Sequence, residues 1–232
     1  RDAGARLGSA QIGSPSVADP RGSYLWPYRA PWVKSNRMTP EFIRDALDEV
    51  ATRDADLAAA LQEVGYPEPR NRAPGFGTLI NIIIGQQVSN HAAAAIRARL
   101  EAALDPLTLE AFLAAEDQTL RDVGFSERKV EYGRGLAQAI VDGTLETERL
   151  AGLDDDEVAK TLTGIRGLGQ WSADIYMLFA LDRADAWPLG DLAIQVAVQK
   201  LKRMRKRPDP KRMTSVAKRW RPYRGVVALF LW

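Results

Sequence analysis

Apolar residues recur every three to four positions along most of the chain after Thr39, a spacing typical of helices with one buried face. Alternation of apolar and polar residues, the pattern of a half-buried strand, is nearly absent. We therefore predict an all-α fold. The predicted helices are Glu41–Asp48, Asp54–Val64, Phe76–Gln87, Ser89–Leu104, Leu109–Ala115, Asp117–Val123, Glu127–Asp142, Asp154–Leu162, Gln170–Leu181, Asp191–Met204, Ser215–Trp220 and Pro222–Leu231.

The first 37 residues differ from the rest of the chain. They are rich in Gly, Pro, Ser and Arg and show little periodicity, which predicts an irregular extension over residues 1–37. Tyr24–Tyr28 and Trp32 form an aromatic group that we expect to pack onto the body. Residues 38–232 are predicted to form one helical domain, long enough for two small lobes that share a cleft.

Positive charge is concentrated near the C-terminus of the sequence. The net charge of the whole chain is +2, yet Lys200–Arg224 contains twelve Lys or Arg residues and one acidic residue, Asp209. Such a segment is typical either of a surface that faces a polyanion or of an ordinary solvated face. Arg221 and Arg224 are also candidates for internal salt bridges.

The composition excludes several kinds of site. The sequence has no cysteine, which excludes disulfides, thiol chemistry, thiolate zinc sites and cysteine-ligated iron–sulfur clusters. His91 is the single histidine and lies among alanines on a predicted helix, which argues against a multi-histidine metal site or a Ser-His-Asp triad. No apolar run approaches the roughly 18 residues of a membrane span, so no membrane partner is expected.

A glycine-rich turn joins two of the predicted helices. The hairpin covers residues 154–181, and its turn contains Gly164, Gly167 and Gly169. Glycines there allow another backbone to approach, and the free N–H groups at the start of the second helix can bind an anion. An ordinary helical hairpin that uses glycine for tight packing is the alternative interpretation. Ile165 and Leu168 are expected to brace the turn against both helices.

An aspartate follows the hairpin at the start of the next predicted helix. Asp191 comes after Gly190, about 20 residues beyond the turn. Most aspartates in this position cap their helix, where exposed N–H groups favour the ionised carboxylate. Asp191 is therefore a helix cap, a functional carboxylate facing a molecule held by the hairpin, or both.

Four ordered motifs resemble the helix-hairpin-helix DNA glycosylases of base-excision repair, and the similarity is closest to their 3-methyladenine, alkylation-repair branch. The resemblance covers roughly residues 39–232 and implies two helical lobes that flank a DNA-binding cleft. The larger N-terminal β-domain of some members has no counterpart here. The motifs are Phe76–Ser89, Gly124–Lys129, Leu162–Ala173 with Gly190–Asp191, and Trp220–Ala228 with Trp232.

The resemblance implies a catalytic role for Asp191. Removal of a base from deoxyribose passes through a positively charged sugar, which a fixed carboxylate stabilises. Family members that also cleave the strand use a lysine where this chain has Trp171, so the resemblance implies a monofunctional enzyme that hydrolyses the N-glycosidic bond without AP-lyase activity. Lys160, on the preceding helix, is a poor substitute.

The resemblance also implies the other parts of the site. Trp171, Tyr176 and Trp232 are candidates to stack on the extruded base, with core packing as the alternative for each. Gln87 occupies the position of the side chain that probes the duplex, and Gln86 is expected to brace that loop. The residues expected to bind the DNA backbone are Gly164, Arg166, Gly167, Leu168, Gly169 and Gln170. The carbonyls expected to hold a monovalent cation are those of Thr163, Ile165 and Leu168.

The predicted partner is double-stranded DNA that contains damaged, 3-methyladenine-type alkylated bases, and no cofactor is expected beyond the hairpin cation. We expect a monomeric cytoplasmic protein of bacterial type, associated with the nucleoid. Three alternatives stay open. In the first, the substrate is a deaminated base such as hypoxanthine or uracil. In the second, the protein is a non-catalytic helix-hairpin-helix DNA-binding module. In the third, Asp174 supplies a second carboxylate for acid–base hydrolysis.

Overall fold

The computed structural model describes residues 38–232. Regular structure in that range is entirely helical, which confirms the all-α class. The predicted extension of residues 1–37, with its aromatic group, lies outside the described residues. The α-helices are α1 Pro40–Ala51, α2 Ala55–Val64, α3 Phe76–Gly85, α4 Asn90–Ala103, α5 Leu109–Ala114, α6 Asp117–Asp122, α7 Glu127–Val141, α8 Asp155–Thr163, α9 Gln170–Ala180, α10 Leu192–Leu201, α11 Pro210–Ala217 and α12 Arg224–Leu231. Short 3-10 turns cover Thr147–Gly152 and Lys218–Trp220.

Most helices begin at a side chain that accepts a hydrogen bond from the first turn. Thr39 caps α1 in this way, and Ser126 caps α7, as the sequence signals predict. The predicted helix Ser215–Trp220 is wrong, because α11 spans Pro210–Ala217 and begins at the cap Asp209. Its Asp-Pro start has the same form as the Thr-Pro start of α1, with proline at the first helical position.

The main helix–helix contacts divide the described chain into two groups. The terminal group contains α1 and α2 from the start of the described range and α10 and α12 from its end. The middle group runs from α3 to α9, and its centre is the buried α3, which packs against α4, α7 and α9. The chain passes from the middle group to the terminal group between α9 and α10. The first residue before α10 is Asp191, so the candidate carboxylate lies where the two groups meet.

A buried aspartate ties the terminal group together. Asp54 caps α2, and its carboxylate also accepts hydrogen bonds from Lys202, after α10, and from the indole of Trp220 at 2.7 Å. Burial raises the pKa of Asp54, but the hydrogen bonds from Lys202 and Trp220 outweigh it, and the net pKa lies below the ordinary value. This charged pair is therefore retained at neutral pH and fixes α2 beside the C-terminal segments.

A second contact, between half-buried side chains, fastens α12 to the segment before Asp191. Arg224 donates to both oxygens of Asp185, at 2.9 and 2.7 Å, which confirms its predicted role as an internal salt-bridge partner. The N–H of Gly225 donates to the carbonyl of Ala184 at 2.7 Å. Trp232 ends α12, so these contacts hold the segment that carries Trp232 beside the segment that carries Asp191.

No helix in residues 38–232 combines the length and the apolar character needed to cross a membrane.

The close contact at Gly225 leads to a stability prediction. A Cβ at this position would lie 2.7 Å from Leu178 Cδ1 and 2.8 Å from the carbonyl oxygens of Ala184 and Ala186. Gly225→Ala is therefore expected to lower the free energy of unfolding by about 1–3 kcal/mol, as measured by urea denaturation.

Gly152→Ala is the matched control, because a Cβ there meets no atom within 4 Å. It is expected to change the free energy of unfolding by less than about 0.5 kcal/mol. Equal stability of the two variants would contradict tight packing at Gly225.

Candidate active site

The geometry of Asp191 is compatible with both roles that the sequence leaves open, a helix cap and a functional carboxylate. It is the N-cap of α10, where its Oδ1 accepts the N–H of Ile194 at 3.0 Å. The residue is half-buried, and its carboxylate retains lone pairs beyond those used for capping. Capping therefore fixes the carboxylate and leaves it able to accept further hydrogen bonds.

Two indole rings donate to the same carboxylate. Trp171, on α9, places its Nε1 3.0 Å from Asp191 Oδ2, and Trp232, after α12, places its Nε1 3.1 Å from Asp191 Oδ1. One ring comes from the middle group of helices and the other from the terminal group. Together with the capping bond, three N–H donors fix the orientation of the carboxylate. The sequence places the three residues in one site but contains no signal for the direction of either indole N–H.

The aromatic surroundings agree only in part with the sequence prediction. Trp171 and Trp232 are both half-buried, and the Trp232 ring lies 5.5 Å from that of Phe179, centroid to centroid. Tyr176 is 0% exposed, and its hydroxyl accepts the N–H of Gly75 at 2.9 Å. Burial raises the pKa of Tyr176 to about 12. This placement corrects the assignment of Tyr176 to the base pocket, because a fully buried ring offers no surface on which a base can stack.

The hairpin turn is held by contacts from the middle group. Gly167 has a positive φ of 95°, and a Cβ there would overlap the ring of Tyr132, so only glycine fits both constraints. The carbonyl of Gly167 accepts the side-chain N–H of Gln86 at 2.8 Å, and Gln86 Nε2 also lies 3.1 Å from Ser172 Oγ. The predicted bracing role of Gln86 is confirmed.

Some N–H groups of the hairpin donate to carbonyls within the turn, and others are free to bind a ligand. Gly164 donates to Lys160 O at 3.1 Å and Leu168 donates to Ile165 O at 3.0 Å, because these bonds close the two ends of the turn. This corrects the prediction for Gly164 and Leu168, whose N–H groups are not available to a phosphate. Within residues 38–232 no acceptor is bonded to the remaining predicted N–H groups, those of Arg166, Gly167, Gly169 and Gln170.

The N-terminus of α9 has no side-chain cap. Its N-cap is Gly169, whereas the helices on either side of it, α8 and α10, begin at Asp154 and Asp191 with side-chain caps. Uncapped N–H groups and the positive end of the helix dipole together favour an anion. A Cβ at Gly169 would meet no atom within 4 Å, so its backbone borders open space.

Two side chains at the turn have protein partners. Arg166 forms an exposed ion pair with Glu131, and such a pair at the surface is weak enough to open for a phosphate. Gln170 donates to Asp174 Oδ1 at 2.9 Å through its side chain, which leaves its backbone N–H unaffected.

The loop after α3 presents the predicted probe residue. The predicted helix Phe76–Gln87 is too long, because α3 ends at Gly85. Gln87 is exposed and has a positive φ of 57°, which is uncommon for a residue with a side chain. Lys129 supports the base of this loop by donating to Ile84 O at 2.7 Å, and burial lowers the pKa of Lys129.

The second carboxylate considered from the sequence is not presented to a ligand. Asp174 is 6% exposed on α9 and accepts the side-chain N–H of Gln170. Burial raises the pKa of Asp174 to about 6. The paired-carboxylate alternative is therefore wrong for Asp174, because a carboxyl enclosed by protein cannot act on a substrate opposite Asp191.

The carbonyls predicted to hold a cation differ in their hydrogen bonding. Within residues 38–232 no donor is bonded to the carbonyls of Thr163 and Leu168 outside regular helix bonding, whereas Ile165 O accepts one bond from Leu168. The same range holds no cluster of three or more His, Asp or Glu side chains that could bind a metal.

Residues 80–222, more than half of the chain, match the family model described as "HhH-GPD superfamily base excision DNA repair protein". The chain belongs to this superfamily. Bacillus subtilis YfjP is 35% identical over 115 residues, which cover 50% of this chain and 40% of YfjP. DNA-3-methyladenine glycosylase 1 of Schizosaccharomyces pombe is 30% identical over 161 residues, which cover 68% of this chain and 71% of that protein.

Solved structures share the fold. The Schizosaccharomyces pombe 3-methyladenine DNA glycosylase Mag1, in complex with abasic DNA, has a TM-score of 0.76 and 26% identity, covering 81% of this chain and 95% of that chain. A DNA-3-methyladenine glycosidase from Bacillus halodurans has a TM-score of 0.68 and 30% identity, covering 81% of this chain and 87% of that chain. The helical architecture is therefore that of the superfamily.

Burial of Asp174 leads to a prediction for the pH dependence of stability. Its pKa in the folded state, about 6, lies above the ordinary 3.8, so its contribution to stability is present below pH 4 and lost as the pH rises through 6. Asp174→Asn, which cannot ionise, is expected to exceed the wild type in free energy of unfolding by on the order of 2 kcal/mol at pH 8. Urea denaturation at a series of pH values measures the difference.

The difference is expected to shrink towards zero as the pH falls below 5. Asp45→Asn, a change at an exposed carboxylate on α1, serves as control and is expected to give no such gain. A wild type that is as stable as Asp174→Asn at pH 8 would contradict the buried placement.

Proposed function

We propose that this protein is a monofunctional DNA glycosylase that hydrolyses the N-glycosidic bond of 3-methyladenine-type alkylated bases flipped out of duplex DNA, in base-excision repair. The observation that carries the proposal is the half-buried carboxylate of Asp191, held by two indole N–H groups, in a chain whose hairpin leaves N–H groups free. The names of the relatives, DNA-3-methyladenine glycosylases, support the same substrate class.

Asp191 acts on the sugar. The N-glycosidic bond breaks with its electron pair going to the base, so a cationic alkylated base leaves as a neutral molecule and the sugar becomes positively charged. The carboxylate, fixed by three N–H donors, stabilises that charge and orients a water molecule. The water oxygen bonds to the anomeric carbon, and the proton that it loses passes to the carboxylate and then to solvent. The products are the free base and an abasic site.

The two indoles also favour binding of a cationic base. Trp171 and Trp232 are half-buried beside the carboxylate, and the faces of such rings attract a cation. A base methylated at a ring nitrogen is cationic in the nucleotide and neutral after release. The attraction therefore favours binding of the damaged nucleotide over binding of the product.

The hairpin holds the DNA strand. The free N–H groups of Arg166, Gly167, Gly169 and Gln170 lie at the turn and at the uncapped N-terminus of α9, where a phosphate oxygen is favoured. Many exposed cations of Lys200–Arg224 add affinity that depends on salt concentration. These contacts fix the strand and carry no base specificity.

Gln87 fills the space that the extruded base leaves. Its left-handed backbone and exposed side chain place an amide at the tip of a loop whose base is held by Gln86 and Lys129. An amide can both occupy the stack and hydrogen-bond the orphaned base. The cost of flipping is a few kcal/mol, and this insertion offsets part of it.

The reaction stops at the abasic site. The position from which a lysine would attack the sugar is occupied by Trp171, whose indole instead donates to Asp191. Lys160 lies on the exposed side of α8, and no role in a Schiff base is assigned to it.

A monovalent cation at the hairpin is also proposed. The carbonyls of Thr163, Ile165 and Leu168 would hold it, and their limited use in internal hydrogen bonds leaves lone pairs for that purpose. When bound, such an ion supplies positive charge near a DNA phosphate.

The protein is proposed to act as a monomer on the nucleoid DNA. The carboxylate, both indoles, the hairpin and the probe loop all come from one chain, so a second copy adds no group to the site.

Asp191→Asn is expected to lower the single-turnover rate of base release from methylated duplex DNA by at least about a hundredfold, because asparagine has no charge to stabilise the sugar cation. Asparagine caps helices as well as aspartate, so α10 should keep its start. Release is measured as free base, together with abasic sites revealed by alkali. Strand breaks should appear only after alkali.

Asp209→Asn is the matched control, since Asp209 caps α11 as Asp191 caps α10. It is expected to release base at the wild-type rate. Equal rates for Asp191→Asn and the wild type would refute the catalytic assignment, and release of hypoxanthine or uracil in preference to methylated purines would replace the substrate class.

Gln87→Gly removes the probe side chain and suits the positive φ, so the loop should keep its shape. The variant is expected to release base about tenfold more slowly, because nothing replaces the extruded base in the stack. Its affinity for undamaged duplex, which rests on phosphate contacts, should stay near that of the wild type. An unchanged excision rate would show that Gln87 does not probe the duplex.

A further inference from the structure

Arg72 contacts a residue beside the candidate active site, and two further arginines, Arg70 and Arg97, act on its charge. Arg72 lies in the loop between α2 and α3, Arg70 is two residues before it, and Arg97 is on α4. Partial burial, together with the positive charges of Arg97 and Arg70, lowers the pKa of Arg72. The guanidinium of Arg72 therefore experiences the positive charge of both neighbours.

Within residues 38–232, no ion pair offsets this repulsion. Glu68 lies in the same loop and Glu101 on the same helix as Arg97, yet within residues 38–232 no ion pair joins any carboxylate to these three arginines. Arginines elsewhere in that range, such as Arg134 and Arg224, do have carboxylate partners. A cluster of like charges without an internal partner favours an external anion.

Arg72 is connected to the candidate active site through Phe179. The N–H of Arg72 donates to Phe179 O at 2.7 Å, and its guanidinium lies 5.5 Å from the centroid of the Phe179 ring. The Phe179 ring lies 5.5 Å from that of Trp232, which donates to Asp191. Two ring contacts thus separate the guanidinium of Arg72 from the indole beside the carboxylate.

We propose that Arg72, with Arg70 and Arg97, binds a backbone phosphate of the DNA duplex near the flipped nucleotide, as a second grip separate from the hairpin. The guanidinium fork matches the oxygens of a phosphate, and stacking on Phe179 restricts it to one orientation before DNA arrives. The inference rests on the proposed function for the identity of the anion.

The position of the cluster gives it a use that the hairpin does not have. Arg97 lies on α4, the helix that follows the probe loop, whereas the free N–H groups of the hairpin lie at the start of α9. Charge at both places therefore gives the duplex contacts with two separate segments of the chain.

The experiment measures binding of a synthetic duplex that carries a stable abasic analogue, by fluorescence anisotropy at several salt concentrations between about 50 and 200 mM. Loss of one phosphate contact lowers the slope of log affinity against log salt by about 0.9. Arg72→Gln is expected to show this loss and about a three- to tenfold weaker affinity at the lowest salt. Arg97→Gln, which leaves the Phe179 stack intact, should lower the slope in the same way.

Two variants separate charge from packing. Arg72→Lys keeps the charge and should restore the wild-type slope. Arg44→Gln is the matched control, because Arg44 also stacks on an aromatic ring, 5.4 Å from the centroid of Tyr66. It should leave the slope unchanged.

The outcomes distinguish this inference from the proposed function. Wild-type slopes for both Arg72→Gln and Arg97→Gln, in a protein that excises bases, would overturn the phosphate assignment alone. A lowered slope in a protein that binds the abasic analogue but releases no base would support the grip and refute the enzyme.

Discussion

The site depends on one interaction, in which a single carboxylate accepts hydrogen bonds from two indole N–H groups. Asp191 starts α10, Trp171 belongs to α9, and Trp232 follows α12, so the three residues come from both groups of helices. Each indole restricts the carboxylate, and the carboxylate in turn fixes both rings. The Asp185–Arg224 pair and the contact at Gly225 hold the α12 segment where Trp232 can reach. The contacts that stabilise the junction between the two groups of helices therefore also set the geometry of the site.

A single amide couples the probe loop to the hairpin. Gln86 Nε2 bonds the carbonyl of Gly167 in the turn, and the next residue is Gln87 at the tip of the loop. Tyr132 closes the other side of Gly167, and Lys129 supports the end of α3, so α7 braces both elements. Under the proposed function, Gln87 enters the duplex and the hairpin N–H groups hold the DNA backbone. The contacts through Gln86 and α7 keep these two parts of the site at a constant separation.

The sequence predicts the helical class and most helix positions because capping and periodicity are local properties. The Asp209–Pro210 start of α11 carries the same signal as Thr39–Pro40, so this helix start also has a local signal in the sequence. Other features depend on tertiary contacts and have no local signal. The direction of the two indole N–H groups, the burial of Tyr176 and the internal bonds of Gly164 and Leu168 are of this kind. The arginine cluster joins a loop to a helix more than twenty residues away, and periodicity does not report such encounters.

The glycine at the start of α9 has a thermodynamic consequence. Eight of the twelve α-helices in residues 38–232 begin with a side-chain cap, and glycine in place of such a cap typically costs a helix on the order of a few tenths of a kcal/mol. In α9 that stabilisation is absent, and under the proposed function a DNA phosphate accepts the N–H groups in place of a serine or aspartate. Under that proposal the uncapped end lowers the stability of the free protein and raises its affinity for DNA, because the bound phosphate completes the hydrogen bonding of the first turn of α9.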